Sequence, residues 1–501
     1  MSISGIGTRS SFSAQALVDM RQQLDDLQRQ LGTGKKTTTY AGLGADRGLA
    51  LSLRSRLSDV ESYGSSITNV DLRLTLAQDS LSRMGEVSSR IKASLVQSNS
   101  ISGTTAYKGT QELSLAGLDE LVQLLNTRAG DRYLFGGRAV DTKPVESMDT
   151  ILNGSGTQAG LRQIIAERKA ADLGAGDLGR LVVAPPVGAV VTVAEDVAGS
   201  PFGFKLDSAS TTFTGATLTG PTGSPAGLTI DLGATNPNAG EALTVVLRLP
   251  DGSEETLKLE ATASATPGTG QFSLGTTPAA TAINLQAAIA AAVQGEARTS
   301  LAAASAIAAT DDFFDASGAT MPMRVAGPPF EAATALAPGT PANTVSWYRG
   351  ETGTDPARGT ATARVDTAVS VSYGMRADEP AFRDLMKHLA VTAVVDLSAT
   401  DPASNDRYAA LRDRMVPAFG GVGATQTIAD VQSELTGAQM ASKTAKDRHI
   451  QTNSTLQGLL DGIEGVSPQE VAVQILALQT RLQASLQTTS MLYQLNLTNF
   501  L

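Results

Sequence analysis

Apolar positions follow one spacing near both ends of the chain and another in the middle. Leu17, Met20, Leu24, Leu27 and Leu31 recur at alternating intervals of three and four. Val471, Ile475, Leu478 and Leu482 repeat that rhythm near the other end. Such spacing averages 3.5 residues and gathers the side chains into one narrow seam, which suits a partner helix better than a broad core. The first seam predicts a helix over about 13–31, after a Ser/Gly-rich stretch, 1–12, expected to stay mobile until bound. Gly32-Thr33-Gly34 supplies the stop, because glycine readily takes the left-handed conformation that ends helices. A loop through Gly42, Gly44 and Gly48 should follow.

The longest seam runs Leu53, Leu57, Val60, Tyr63, Ile67, Val70, Leu74, Ala77, Leu81, Met84, Ile91 and Leu95. It predicts one helix over about 47–97, a rod of roughly 75 Å at 1.5 Å per residue, longer than most globular cores can bury. A Ser/Gly turn at 98–103 separates it from a helix over about 105–128 with Leu113, Leu118, Leu121 and Leu125.

Beyond Gly130 the composition shifts to Ala, Gly, Thr, Ser and Pro. Leu243, Val245, Leu247 and Leu249, then Asp251-Gly252, then Leu257 and Leu259 form two period-2 runs about a hairpin turn. Val369, Val371 and Tyr373 alternate likewise, and one Ala-rich helix, about 279–294, interrupts the strands. Helical spacing resumes over about 381–396, 404–415 and 425–464, the last with Ile428, Val431, Leu435, Ala438, Ala445, Leu456, Leu459 and Ile463 on one line. Ser467-Pro468-Gln469-Glu470 reads as an N-cap, a first-turn proline and a reciprocal glutamate opening the final helix. The expected fold class is α+β, with long antiparallel coiled-coil helical rods from both termini and an inserted β-rich outer region. Five parts result: 1–45, 46–139, 140–376 (one or two small domains), 377–466 and 467–501.

A chain of 501 residues exceeds one compact core. Aromatics make up only 4%, with the single Trp347, so cores must be built from Ala, Val and Leu. The absence of cysteine excludes disulfides and thiolate metal sites and fits a chain that crosses compartments. A net charge of −10 argues against general nucleic-acid binding. No stretch approaches the roughly 18 apolar residues of a membrane span, so no membrane insertion is expected. The first residues lack the sections of a cleavable signal peptide.

Catalytic chemistry finds no foothold. His388 and His449 are the only histidines, and a lone helix histidine is more often a packing or surface residue than a ligand. No His-Glu-x-x-His exists, and neither histidine sits in a triad context. Gly32–Thr37 resembles a phosphate loop superficially, but it follows a helix and has Arg29 where glycine is required. Asp251–Glu255 lacks the carboxylate spacing of a calcium loop, and Asp25-Asp26 faces away from the seam. The chain reads as non-enzymatic, with no cofactor or metal site. What remains is contact between subunits, expected at Leu17, Met20, Leu24, Leu27, Leu31, Leu478, Leu482, Leu486, Leu492, Leu495, Phe500 and Leu501.

The end segments resemble the flagellin superfamily, which comprises bacterial flagellins and the hook–filament junction proteins. Leu31-Gly-Thr-Gly-Lys-Lys is similar to the family's Leu-Ser-Ser/Thr-Gly-Lys/Arg element after the first helix, and Ala50–Leu57 to the start of its long helix. Leu478–Ser490 and Asn496–Leu501 resemble the family's terminal helix and last residues. Gly130-Asp-Arg-Tyr-Leu-Phe-Gly-Gly137 resembles a turn typical of junction proteins, and Val371–Glu379 a segment that follows the insert. The resemblance covers roughly 1–140 and 375–501. It implies a structural part exported unfolded, without a cleaved signal, to the extracellular flagellum. There it would self-assemble into a helical ring between a neighbouring hook-associated protein and flagellin, after release by an export chaperone. Two alternatives stay open: flagellin itself, or an adhesin or glycan-binding module displayed on a helical stalk.

Overall fold

A computed structural model describes residues 4–98, 104–316 and 320–498; the side chains of 4–11, 13, 104–106 and 492–498 lie outside that description. Its α-helices are α1 (Ser4–Thr33), α2 (Arg47–Gln97), α3 (Thr104–Leu125), α4 (Met148–Asn153), α5 (Leu161–Leu173), α6 (Pro278–Glu296), α7 (Ala302–Asp315), α8 (Pro380–Val394), α9 (Ser404–Ala418), α10 (Ile428–Glu464) and α11 (Pro468–Thr498). The strands are β1 (Arg128–Ala129), β2 (Arg132–Tyr133), β3 (Leu181–Val183), β4 (Val190–Glu195), β5 (Lys205–Thr211), β6 (Thr217–Thr222), β7 (Gly227–Asp231), β8 (Ala242–Arg248), β9 (Glu254–Thr262), β10 (Gln271–Ser273), β11 (Met323–Val325), β12 (Leu336–Pro338), β13 (Thr362–Arg364) and β14 (Ser370–Ser372). The fold class is α+β, with long helices. The chain divides into two units, one of residues 1–71, 363–371 and 440–501, the other of 72–362 and 372–439.

In the first unit, α1 begins at Ser4, well before the predicted start near 13. The predicted start is therefore corrected to Ser4: Ser and Gly are weak helix formers, but each costs about 1 kcal/mol or less in a helix that continues strongly. α1 stops as expected, with Gly34 at φ 66° and its N–H donating to Gln30 O at 2.8 Å. A 3-10 turn, Tyr40–Asp46, takes the place of the predicted loop. The bounds of α2 agree with the prediction. On α10, Leu459 leaves the predicted line and is exposed, while Leu460 is half-buried in its stead.

Along the part of the long seam in the second unit, Leu74, Ala77, Leu81, Met84, Ile91 and Leu95 are wholly buried. Sheets β3-β4-β7-β6 and β10-β9-β8-β5 share one apolar core with α6, through Phe204, Leu243, Leu247, Leu285 and Val293. The predicted hairpin is present, with Leu243 opposite Leu259 and Val245 opposite Leu257. The expectation of one helix in the insert is corrected, because α4, α5 and α7 lie there as well as α6. α6 does not stop at Gly295 but passes through a π-helical turn, Ala297–Leu301, into α7. Ala302, Ala303, Ala306 and Phe313 bury that continuation, which offsets the roughly 1 kcal/mol that a helical glycine costs. α5 escaped notice because its inner face carries Glu167, Arg168 and Asp172. α3 ends at Leu125, short of the predicted 128, where Asn126 Nδ2 donates to Val122 O at 2.8 Å and its Oδ1 accepts from Val145 N at 3.0 Å.

Candidate assembly surface

Within the first unit, α1 ends where α11 begins, so the two helices lie antiparallel against each other. The junction is stitched by backbone: Lys36 N–H donates to Glu464 O at 2.7 Å and Val466 N–H to Gly34 O at 3.0 Å. Ser467 opens α11, its Oγ accepting from Glu470 N–H at 3.4 Å with Pro468 in the first turn. The Glu464 carboxylate accepts from Arg54 Nε at 3.0 Å and Nη2 at 2.7 Å. Lys35 Nζ stands 3.7 Å away, and Arg54 also donates to Tyr40 OH at 3.0 Å. Hydrogen bonding from Arg54 holds the Glu464 carboxyl below the usual carboxylate range. Sequence spacing gave no sign of this clasp, since its members lie hundreds of positions apart.

The predicted seam residues occupy different environments. Leu17, Met20, Leu24 and Leu27 are half-buried and Leu31 is exposed. On α11, Leu478 is buried, Leu482 half-buried and Leu486 exposed. The side chains of Leu492 and Leu495, and all of Phe500 and Leu501, lie outside the described residues. Between Phe12 and Leu49 no described side chain is buried. One partner helix covers only one stripe, and among the described residues no second element of this unit covers the rest.

α11 also carries apolar residues that the seam pattern missed. Val473, Leu476 and Met491 are 65%, 63% and 59% exposed. At 100° per residue they project opposite Val471, Ile475 and Leu478, whose own face is turned to α1. The signal was present as a second, sparser apolar track among Ala477 and Ala484. Phe12 and Val18 on α1 are exposed as well. Of the nineteen large hydrophobic side chains exposed among the described residues, thirteen lie in this unit, which holds fewer than a third of the residues.

In the second unit, the two segments that bound the insert bind each other. Gly130, at φ 68°, turns β1 into β2. Gly137 N–H donates to Met375 O at 2.9 Å, and Ala377 N–H to Phe135 O at 2.8 Å. Phe135 then packs edge-on against Phe382, centroids 5.4 Å apart. Gly137 sits at φ 63°, against Glu351 and Arg376 side chains that a Cβ would strike. Both histidines are packing residues: His449 Nε2 lies 2.7 Å from Val365 O and stacks on Tyr63, while His388 meets Phe419 edge-on at 5.3 Å. Burial pushes the His388 imidazole down to about 4. Among the described residues no three His, Asp or Glu side chains are placed to hold a metal ion, and no helix is long and apolar enough to cross a membrane.

No protein-family model matches the chain, and no curated protein matches it. Among solved structures it is similar to a crystal structure of FlgL from Xanthomonas campestris, with 13% identity and a TM-score of 0.26, over 81% of this chain and 96% of that one.

Proposed function

We propose that this chain is a non-enzymatic structural subunit of the bacterial flagellum, acting at the hook–filament junction. Its terminal helices would bury their open apolar faces on neighbouring copies, on the adjoining hook-associated protein and on flagellin. The concentration of exposed apolar side chains in the first unit carries this reading. Patches of that kind mark interaction surfaces, and each side chain fully covered contributes about 1.5–3 kcal/mol. In a closed symmetric assembly the same contact repeats in every subunit. The flagellar assignment draws on the resemblance of Leu31–Lys36, Leu478–Ser490 and Gly130–Gly137 to flagellin-superfamily segments.

A deletion strain tests it. Loss of the gene should leave hooks without filaments, with monomeric flagellin shed to the medium. The full chain should restore swimming, and a chain ending at Arg481 should not. Normal swimming with that truncation overturns the assembly reading. A chain that makes up the bulk of sheared filaments would be flagellin instead.

A further inference from the structure

One cleft of the second unit has chemistry that assembly through the termini does not use. It encloses about 370 Å³ between α2, the β1–β2 hairpin and the segment around β13. Arg73, Arg132 and Arg138 line it, and no carboxylate does. Arg138 is neutralised by Glu351 at 2.6 Å and Asp355 at 3.1 Å, neither of which lines the cleft. Among the described residues Arg73 and Arg132 have no acidic partner. Arg73 donates one N–H to Tyr373 OH at 2.8 Å, which orients its guanidinium and leaves its other donors unused. Arg132 is exposed on the hairpin, and among the described residues its fork has no hydrogen-bond partner. In a chain of net charge −10, two unpaired guanidiniums at one carboxylate-free cleft are a local reversal of sign.

We propose that this cleft binds a small organic carboxylate of about the size of an acidic sugar. Guanidinium forks match the two oxygens of a carboxylate, and such charge-assisted pairs are about twice as strong as neutral hydrogen bonds. The volume falls in the usual range for small-molecule sites, about 300–1,000 Å³. Val140 and Met375 form an apolar wall that offers nothing to a bare phosphate but can cover the carbon face of a ring. Thr362 lines the cleft, and among the described residues its hydroxyl has no hydrogen-bond partner, which leaves it available to a ring hydroxyl.

Calorimetric titration of the full-length protein with glucuronate, glucose and inorganic phosphate tests this. Glucuronate should saturate one site, with glucose and phosphate each at least tenfold weaker. Arg132→Gln alters an exposed side chain, so its melting temperature should not change, while glucuronate affinity should fall roughly tenfold. Arg73→Lys, which keeps the charge but loses the fork, should weaken binding as well. Equal affinity for phosphate and glucuronate overturns the proposal, as does the absence of saturable binding or an Arg132→Gln protein that binds as well as the parent. Loss of self-assembly in Arg132→Gln, with no glucuronate binding in either protein, would also overturn it and assign the cleft to a carboxylate of a neighbouring copy.

Discussion

Glu464 accepts from Arg54 through both carboxylate oxygens while its backbone carbonyl accepts from Lys36, so one residue joins α2, α10 and the exit from α1. Its folded pKa is lowered, so on acidification the unfolded chain takes the proton first. The stabilisation is complete above the unfolded value of about 4.3 and is lost as pH falls through the folded value. Glu464→Gln should therefore cost about 1 kcal/mol at pH 7, a modest figure because the Arg54 side chain is 41% exposed and water screens the pair. It should cost less near pH 2, where protonation removes part of that stabilisation. Thermal melts of both proteins at the two pH values measure the difference. His388 acts in another window. Its imidazole titrates near 6.5 when unfolded but only at about 4 when folded, so folding forbids a proton the unfolded chain would accept. Stability should decline as pH drops from about 6.5 to 4 and then level off, with a loss on the order of 2–3 kcal/mol. His388→Gln should flatten that part of the melting profile relative to the parent. An unchanged slope would mean that the ring is protonated in the folded chain.

At the scale of elements, the helices show what periodicity can and cannot convey. The bounds of α2 were legible because its inner face is apolar over its whole length, and the β8–β9 hairpin because its inward residues alternate around Asp251-Gly252. α5 was not legible: Arg168 bonds Asp172 at 3.1 Å and Asp312 at 3.2 Å, so part of its core is ionic and reads as surface in a hydrophobicity pattern. The same limit applied to the candidate surface. The α1–α11 seam is periodic and was visible, whereas the Glu464 clasp and the outward track of α11 depend on tertiary placement. The two faces of α11 should also separate experimentally. Leu478→Ala removes a buried contact with α1 and should cost about 2 kcal/mol, seen as lower helicity and earlier melting of the monomer. Val473→Gln with Leu476→Gln should leave monomer melting unchanged and raise the critical concentration for assembly at least tenfold, read by sedimentation. Identical effects from both variants would mean that α11 has one functional face.

The whole molecule joins two kinds of stability in one chain. The second unit completes its own cores, from Leu74–Leu95 on α2 to the Phe204 and Leu243 cluster, with residues at or near zero exposure. Within the first unit, α1 and α11 do not: they cover each other's inner stripe and leave the rest to solvent. A helix held along one stripe opens locally at small cost, because few apolar contacts are lost when it does. Hydrogen exchange on dilute monomer should therefore find the amides of Leu17–Gln30 and Val471–Leu486 exchanging far faster than those of Leu74–Leu95. On assembly, only the first two groups should slow, because covering their outer faces couples helix opening to loss of the subunit contact. Protection of α1 in the monomer equal to that of α2 would show that the pair is stable alone. The exposed apolar side chains would then need an explanation other than burial by neighbours.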